Sequence, residues 1–364
     1  MRPSQYHIYS TSKDAWEAMY QAIVSASRSI YWEVYIFIDD DIGKNFFDVL
    51  ATKASQGVEV RLIIDALGSF ALSRARVHGL RQAGVDLQLF HERKHRYRGL
   101  WKKIVTRMHR KVLVVDEKIG FIGGVNIDRS MAQWNDFHLR IEGKAVHSLL
   151  RAFAKSYIIS GGEKEIVAHL LQYRSRVKTD IKDIEFVFDE GNPVQAKTKR
   201  KYIEALLKAR ERVILFSPYY FPDKAFLCAL WQARKRGVRV DLLIPFRTDV
   251  RLASYAAYSW FALMQRYGVR VHLLRNMMHG KGVIKDNDWA MIGSSNLDYG
   301  SFRFNYEANV KITNKDLVRT IKTDLLRWLD GSIALENLAW EKRNWWQRMK
   351  EWVAMRLYIL WHGK

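Results

Sequence analysis

Short, wholly apolar runs alternate along this chain with longer amphipathic ones, and the alternation predicts strands and helices in turn. SIYWEVYIFID (29–39), rich in β-branched and aromatic residues, reads as a buried strand running into a loop. FFDVLATKASQGVEVRLIID (46–65) reads as an amphipathic helix, a Gly at its end and an apolar strand, and AGVDLQLF (83–90) repeats the close of that pattern. HRKVLVVD and IGFIGG predict a hairpin joined at about Glu117 and Lys118. LASYAAYSWFALM (252–264), the longest uncharged stretch, is expected to be a buried helix. Alternating β and α elements of this kind predict an α/β fold, a sheet sandwiched by helices.

The pattern is written twice. RVILFSPYYFPD (212–223) answers to 29–39, AFLCALWQARKRGVRVDLLIP (225–245) to 46–65, and YGVRVHLL (267–274) to 83–90. MHGKGVIKDNDWAMIGSSN (278–296) then answers to MHRKVLVVDEKIGFIGGVN (108–126). The offset is about 180 over the early elements and 170 at the last pair, so the halves differ in loops rather than in plan. A chain of 364 residues also exceeds the length at which one core stops growing. We expect two similar α/β domains, 1–165 and 166–337, joined by a polar connection around 161–200 and followed by a tail, 338–364.

The largest loop difference lies before the first motif. Its extra residues form RKHRYRGLWKKIVTRMHRK (93–111), with nine Lys or Arg, no acid, and Tyr97 and Trp101 interleaved. A solvated charged loop and a contact for a polyanion are both open readings. The net charge of +22 points to an anionic partner, either nucleic acid or an acidic membrane surface. No run of 18 apolar residues occurs, so no segment is expected to span a bilayer. The single cysteine, Cys228, excludes an intrachain disulfide and a multi-cysteine metal cluster; it is expected to be buried filler in a reducing compartment.

Across the doubled motif His109, Lys111, Asp116, Gly123 and Asn126 stay in step with His279, Lys281, Asp286, Gly293 and Asn296, while the positions between them drift. On a strand, residues two apart share a face, so each copy projects an imidazole and an ammonium together. Gly123 with Gly124, and Gly293 with Ser294, allow close backbone approach before the Asn. Two copies in register predict halves that face each other over one site. Two His, two Lys and two Asn, with no metal-ligand cluster, suit substitution at a phosphodiester. One neutral His attacks phosphorus, and the other, protonated, delivers a proton to the departing alkoxide. Lys111, Lys281, Asn126 and Asn296 would hold the non-bridging oxygens. Asp136, 10 residues past Asn126, and Glu307, 11 past Asn296, are assigned as carboxylates that orient the histidines. Asp116 and Asp286 complete the motif and are grouped with its catalytic residues, although their place at the turn suits a structural part. No cofactor or metal is called for.

The doubled H-x-K-x4-D-x6-G-G/S-x-N pattern resembles the phospholipase D superfamily. Nearly the whole chain, through YIFIDDDIGKNF, GVEVRLIIDALGS, HLRIEGKAVHSL, SPYYFPD and IGSSNLDYGSFRFNYE, is similar to bacterial cardiolipin synthases. The resemblance implies a pair of α/β sandwiches, related by a pseudo-twofold axis, with the active site between them. It also implies transfer of a phosphatidyl group between two phosphatidylglycerol molecules through a phosphohistidine, giving cardiolipin and glycerol. In several superfamily members the first-half His is the nucleophile, which points to His109, with His279 as acid and base.

Many cardiolipin synthases begin with two membrane-spanning helices, and this chain starts almost at the first domain, so attachment to the membrane is expected elsewhere. LAWEKRNWWQRMKEWVAMRLYILWHGK (338–364) places Trp346, Met349, Val353, Leu357 and Leu360 at helical spacings among basic residues, and five of the 13 Trp lie there. Such a helix can lie in a lipid interface, pack on the second domain, or do both. The expected setting is peripheral, on the cytoplasmic face of the bacterial cell membrane, with anionic phospholipid as partner and no obligate protein partner. A hydrolytic phospholipase D and a phosphodiesterase or nuclease acting on nucleic acid are the rival readings.

Overall fold

The computed structural model describes residues 5–91, 106–173, 183–338 and 340–362. Most of the basic segment 93–111, with Tyr97 and Trp101, lies outside them, as does the side chain of Leu360.

The first half runs β1 (Tyr6–Thr11), α1 (Ser12–Val24), β2 (Ser29–Val34), α2 (Asp41–Ser55), β3 (Glu59–Asp65), α3 (Arg74–Gln82) and β4 (Asp86–Phe90). It continues with β5 (Val112–Val115), β6 (Ile119–Gly123), β7 (Asn135–Glu142), α4 (Val146–Ile159) and α5 (Ala168–Leu171). The second runs β8 (Ile184–Glu190), α6 (Lys197–Lys208), β9 (Arg212–Phe216), α7 (Lys224–Lys235), β10 (Arg239–Pro245), α8 (Arg251–Arg266) and β11 (Arg270–Leu274). It closes with β12 (Gly282–Lys285), β13 (Trp289–Gly293), α9 (Tyr299–Arg303), β14 (Tyr306–Ile312), α10 (Lys315–Asp330), β15 (Ser332–Ala334) and α11 (Trp345–His362).

The sheets repeat one topology. Their orders are β1-β7-β6-β5-β2-β3-β4 and, read from the matching edge, β8-β14-β13-β12-β9-β10-β11, with β15 added beyond β11. In each half three strands run parallel through helical crossovers, and the motif hairpin joins antiparallel beside the first of them.

Strand alternation divides the apolar residues between cores. Ile30, Trp32 and Val34 of β2 face α1 and α2, whereas Tyr31 faces inward. The inner core is shared: Val112, Val114, Phe137 and Leu139 of the first sheet join Ile214, Phe216, Ile292 and Val310 of the second, with α4 and α10 closing it. Phe137 stacks on Trp328 at 4.7 Å and meets Phe216 edge-on at 5.5 Å. One continuous core therefore fixes the two halves against each other. The expected helix 252–264 is α8, with Ala256, Ala257, Phe261 and Met264 buried beneath it.

One expectation changes, at Cys228, and two places gain detail. Beyond 165, Arg151 donates to the Tyr173 carbonyl (3.0 Å) and α5 packs beside α4, so the polar connection begins on the first half. Cys228 is exposed rather than buried, on the outer side of α7. The tail divides: Trp340 packs on Tyr258 and Phe261, while α11 lies along α8 with Ala354 and Glu351 buried. The apolar stripe foreseen there faces outward at Trp346, Val353 and Leu357.

The motif aspartates hold the hairpin turns. Asp116 and Glu117 both have positive φ (52° and 56°), as the tight turn between β5 and β6 needs, and Asp286 has φ 50° in the second copy. The Asp116 carboxylate accepts from the backbone N–H groups of Ser27, Arg28 and Ser29, and Asp286 from those of Arg210, Glu211 and Arg212. Burial alone would raise both carboxyls; these N–H groups hold them below the usual value. The folded pKa of Asp116 is depressed, so its contribution is present above the unfolded value and fades as pH falls through the folded one. Asp116→Ala should lower stability by about 1–3 kcal/mol at pH 7. That difference should shrink in acid, while activity per folded molecule is retained, as thermal unfolding and active-site titration would show.

Candidate active site

The backbone ahead of each motif His pairs with the opposite half. His109 N–H donates to Tyr306 O (3.0 Å), and Tyr306 N–H donates to Arg107 O (2.8 Å). In the matching place His279 N–H donates to Asn135 O (2.7 Å), and Asn135 N–H donates to Met277 O (3.3 Å). Tyr306 opens β14, which carries Glu307; Asn135 opens β7, which carries Asp136. Buried Arg110 reinforces the first junction, donating to Ser156 Oγ (2.9 Å), Asp189 O (2.9 Å) and Glu307 O (3.2 Å).

The side chains follow the same crossing. His109 Nδ1 lies 3.1 Å from both carboxylate oxygens of Glu307, and His279 Nδ1 lies 2.7 Å from Asp136 Oδ2. An ionised carboxylate only accepts, so Nδ1 carries the proton in each ring and Nε2 is left with the lone pair. Burial alone would push both carboxyls up. For Asp136 the Lys281 charge and the bonded His279 outweigh it, and for Glu307 His109 and Lys111 do, so both stand below their usual values. Burial pushes both histidines down against the pull of these carboxylates, so both are neutral at pH 7 in the free site.

Lys111 and Lys281 are buried beside them, each donating to the carbonyl of its own motif His, at 2.7 Å for Lys111. Burial and then the Lys281 charge push Lys111 well below the ordinary lysine value; burial lowers Lys281 to about 8, against Asp136 and Glu307. The Tyr35 ring lies edge-on to His109 (4.7 Å), with Lys111 Nζ 5.0 Å from its centre. Two imidazole lone pairs and two buried lysines, facing the carboxylates of Asp136 and Glu307, thus meet at one place.

Close approach is built into the glycines. A Cβ at Gly124 would collide with the Asp136 carboxylate, and one at Gly293 with Asn309. Ser294 stands where the first copy has Gly124, and its hydroxyl donates to Glu307, so the copies are not equivalent.

His109, Lys111, His279, Lys281, Asp136 and Glu307 are brought together. Asn126 and Asn296 are buried at the strand ends nearby. Asn126 Oδ1 accepts from Ile36 N–H (3.2 Å), and Asn296 Oδ1 is buried with no partner among the described residues. Asp116 and Asp286 are not at the site: they are held at the far ends of β5 and β12, which corrects their grouping with the catalytic residues. Sequence reasoning missed Tyr35 and the Tyr219 hydroxyl that donates to Asp249 Oδ1 (2.6 Å), and it gave Ser294 a part in close backbone approach but not its bond to Glu307. Only Ser294 carried a signal, as the one departure from the Gly-Gly pair.

Two α/β halves with a His-Lys motif apiece, facing each other across a pseudo-twofold axis, define a phospholipase D-like enzyme. The chain belongs to the cardiolipin synthase, phospholipase D-like domain family, whose model matches residues 19–157 and 202–328. It is 30% identical over 356 residues to a probable cardiolipin synthase of Bacillus subtilis, covering 96% of this chain and 70% of that one. It is 31% identical over 355 residues to a cardiolipin synthase of Halalkalibacterium halodurans, covering 94% and 70%. The crystal structure of a Haemophilus influenzae phosphatidylserine synthase shares the fold, with a TM-score of 0.75 at 12% identity over 97% of this chain and 92% of that one.

Glu307→Gln and Asp136→Asn should each lower kcat by roughly 10²–10⁴, since an amide neither fixes the reactive tautomer nor stabilises an imidazolium. Retained activity in either would remove that residue's orienting role. The pH profile of kcat/KM should fall on the alkaline side near pH 8, because the lowered Lys281 pKa means its charge is lost as pH rises through about 8. An alkaline limb near the ordinary lysine value would contradict this.

Proposed function

We propose that the chain is a cardiolipin synthase acting on phosphatidylglycerol at the cytoplasmic face of the bacterial cell membrane, to which it binds peripherally. The observation that carries the reaction is the pair of buried His–carboxylate couples, each with a lysine beside it, within a cardiolipin synthase family fold.

His109 Nε2 attacks phosphorus of the first phosphatidylglycerol, and the P–O bond to its headgroup glycerol breaks. The departing alkoxide takes a proton from Nε2 of His279, which enters this step as imidazolium, having taken up its second proton as the phosphodiester anion binds. His279 then removes the proton from the terminal hydroxyl of a second phosphatidylglycerol, whose oxygen attacks the phosphohistidine. Cardiolipin leaves and His109 is restored. This order follows the superfamily members in which the first-half histidine is the nucleophile. Lys111, Lys281, Asn126 and Asn296 hold the non-bridging oxygens, with the lysines supplying the positive charge. The net charge of +22 and the basic, Trp-bearing α11 support an anionic lipid surface as the setting. No helix among the described residues is long and apolar enough to cross a membrane.

Purified protein incubated with phosphatidylglycerol vesicles should yield cardiolipin and glycerol in equal amounts by mass spectrometry. His109→Ala and His279→Ala should each abolish both. Phosphatidic acid in place of cardiolipin would assign water as the acceptor. Cleavage of a single-stranded DNA control with the lipid unchanged would overturn the proposal.

A further inference from the structure

The exposed large apolar side chains are unevenly placed. Of the 14 among the described residues, Leu67, Phe70, Val250 and Leu252 lie on or beside two loops, and Trp345, Trp346, Trp352, Val353 and Leu357 lie on α11. The loops are counterparts: one follows β3 and the other follows β10, at the carboxyl ends of the parallel strands, where open α/β sheets place their sites.

Both loops border the reactive groups. Asp65, which ends β3, accepts from Met108 N–H (2.9 Å), the residue before His109, and from the N–H groups of Leu67 and Gly68. Gly68 lies against Tyr35, the ring that covers His109, and Ser69 Oγ donates to Tyr35 O (3.0 Å). The loop is therefore tied down from below, yet Leu67 is 53% and Phe70 81% exposed. In the second half, Thr248 bonds Ser254 and Val250 O, and Asp249 accepts from Tyr219, while Val250 and Leu252 face outward. Helix α11 joins this side through Ala354, buried against Phe221 and Ala256 with Tyr219 alongside. Arg247, Arg251, Lys350 and Arg356 are exposed among these apolar groups.

A held loop that keeps a Phe in water has no folding reason to do so, and isolated exposed apolar residues do not ordinarily gather at the carboxyl ends of the strands of both sheets. Apolar tips flanked by Arg and Lys fit the boundary between anionic headgroups and acyl chains. We propose that the loops after β3 and β10, continued by α11, are a bilayer-docking rim. Leu67, Phe70, Val250 and Leu252 enter the interface of an anionic phospholipid surface and hold the opening of the His–Lys site against it. The proposal rests on the phosphatidyl-transfer reading and adds the face by which the enzyme meets its substrate.

The test uses the full chain, sedimentation with vesicles of phosphatidylglycerol and phosphatidylcholine, and turnover of dihexanoyl-phosphatidylglycerol as dissolved monomers. Phe70→Ser combined with Leu252→Ser should weaken vesicle binding about tenfold or more and leave turnover of the monomeric lipid unchanged. Trp231→Ser, which removes an exposed ring on α7 away from the rim, should leave both unchanged. Wild-type binding by the rim variant, or an equal loss on changing Trp231, would overturn the proposal. So would a rim variant that loses monomer turnover, which would put these residues in the reaction itself. A wild-type dimer that dissociates only in the rim variant would give the surface to a second copy. Failure of the wild type to turn over either lipid form would strike the phosphatidyl-transfer reading, with rim-dependent vesicle binding still read separately.

Discussion

Each motif histidine is oriented by a carboxylate from the other half of the molecule, and this crossing is the constraint on which the rest depends. Neither half contains a complete unit: His109 needs β14, and His279 needs β7. The backbone repeats the exchange one residue away, with Met108 bridged to Tyr306 and Asn135 to Met278. A shift of the halves by one residue would turn these side chains away, since strand side chains alternate. The shared inner core, with Phe137 between Phe216 and Trp328, holds the register. Duplication with fixed spacing and drifting filling follows, because the spacing serves the crossing whereas the filling need only stay apolar.

The crossing also accounts for the electrostatics. Two lysines, two carboxylates and two histidines are buried together, and breaking a buried pair by removing one partner costs about 3–5 kcal/mol. The carboxylates stay ionised because lysines and histidines face them. The lysines are held below their ordinary value by burial, Lys111 by Lys281 as well, and the histidines are neutral. In the proposed reaction, a phosphodiester anion entering this cluster supplies negative charge that steadies the charged lysines and draws a proton onto one imidazole. The site thereby becomes an acid and a base together only when substrate is present.

The α/β class, the duplication, the helix–Gly–strand units and the hairpin could be read from period and punctuation, since they depend on local patterns. Asp136 and Glu307 were within reach because their spacing from the two Asn nearly matches. Which His each one serves was not, since spacing locates a residue along its own strand and says nothing of the strand it faces. Asp116 and Asp286 travel with the motif yet hold its turns, so company in sequence overstated their part. Tyr35, Tyr219 and Asp249 reach the site through loops with no periodic signal. Cys228 reads as filler by residue type, but α7 turns it outward. In α11 the helical stripe was visible and its direction was not, because direction depends on how α8 receives Ala354.

The crossing is tested most directly by the nitrogen chemical shifts of selectively labelled histidines. The account predicts that Glu307→Gln alters the tautomer and titration of His109 and leaves His279 as it was, while Asp136→Asn does the reverse. An effect confined to the histidine of the same half, Asp136 on His109 or Glu307 on His279, would contradict it.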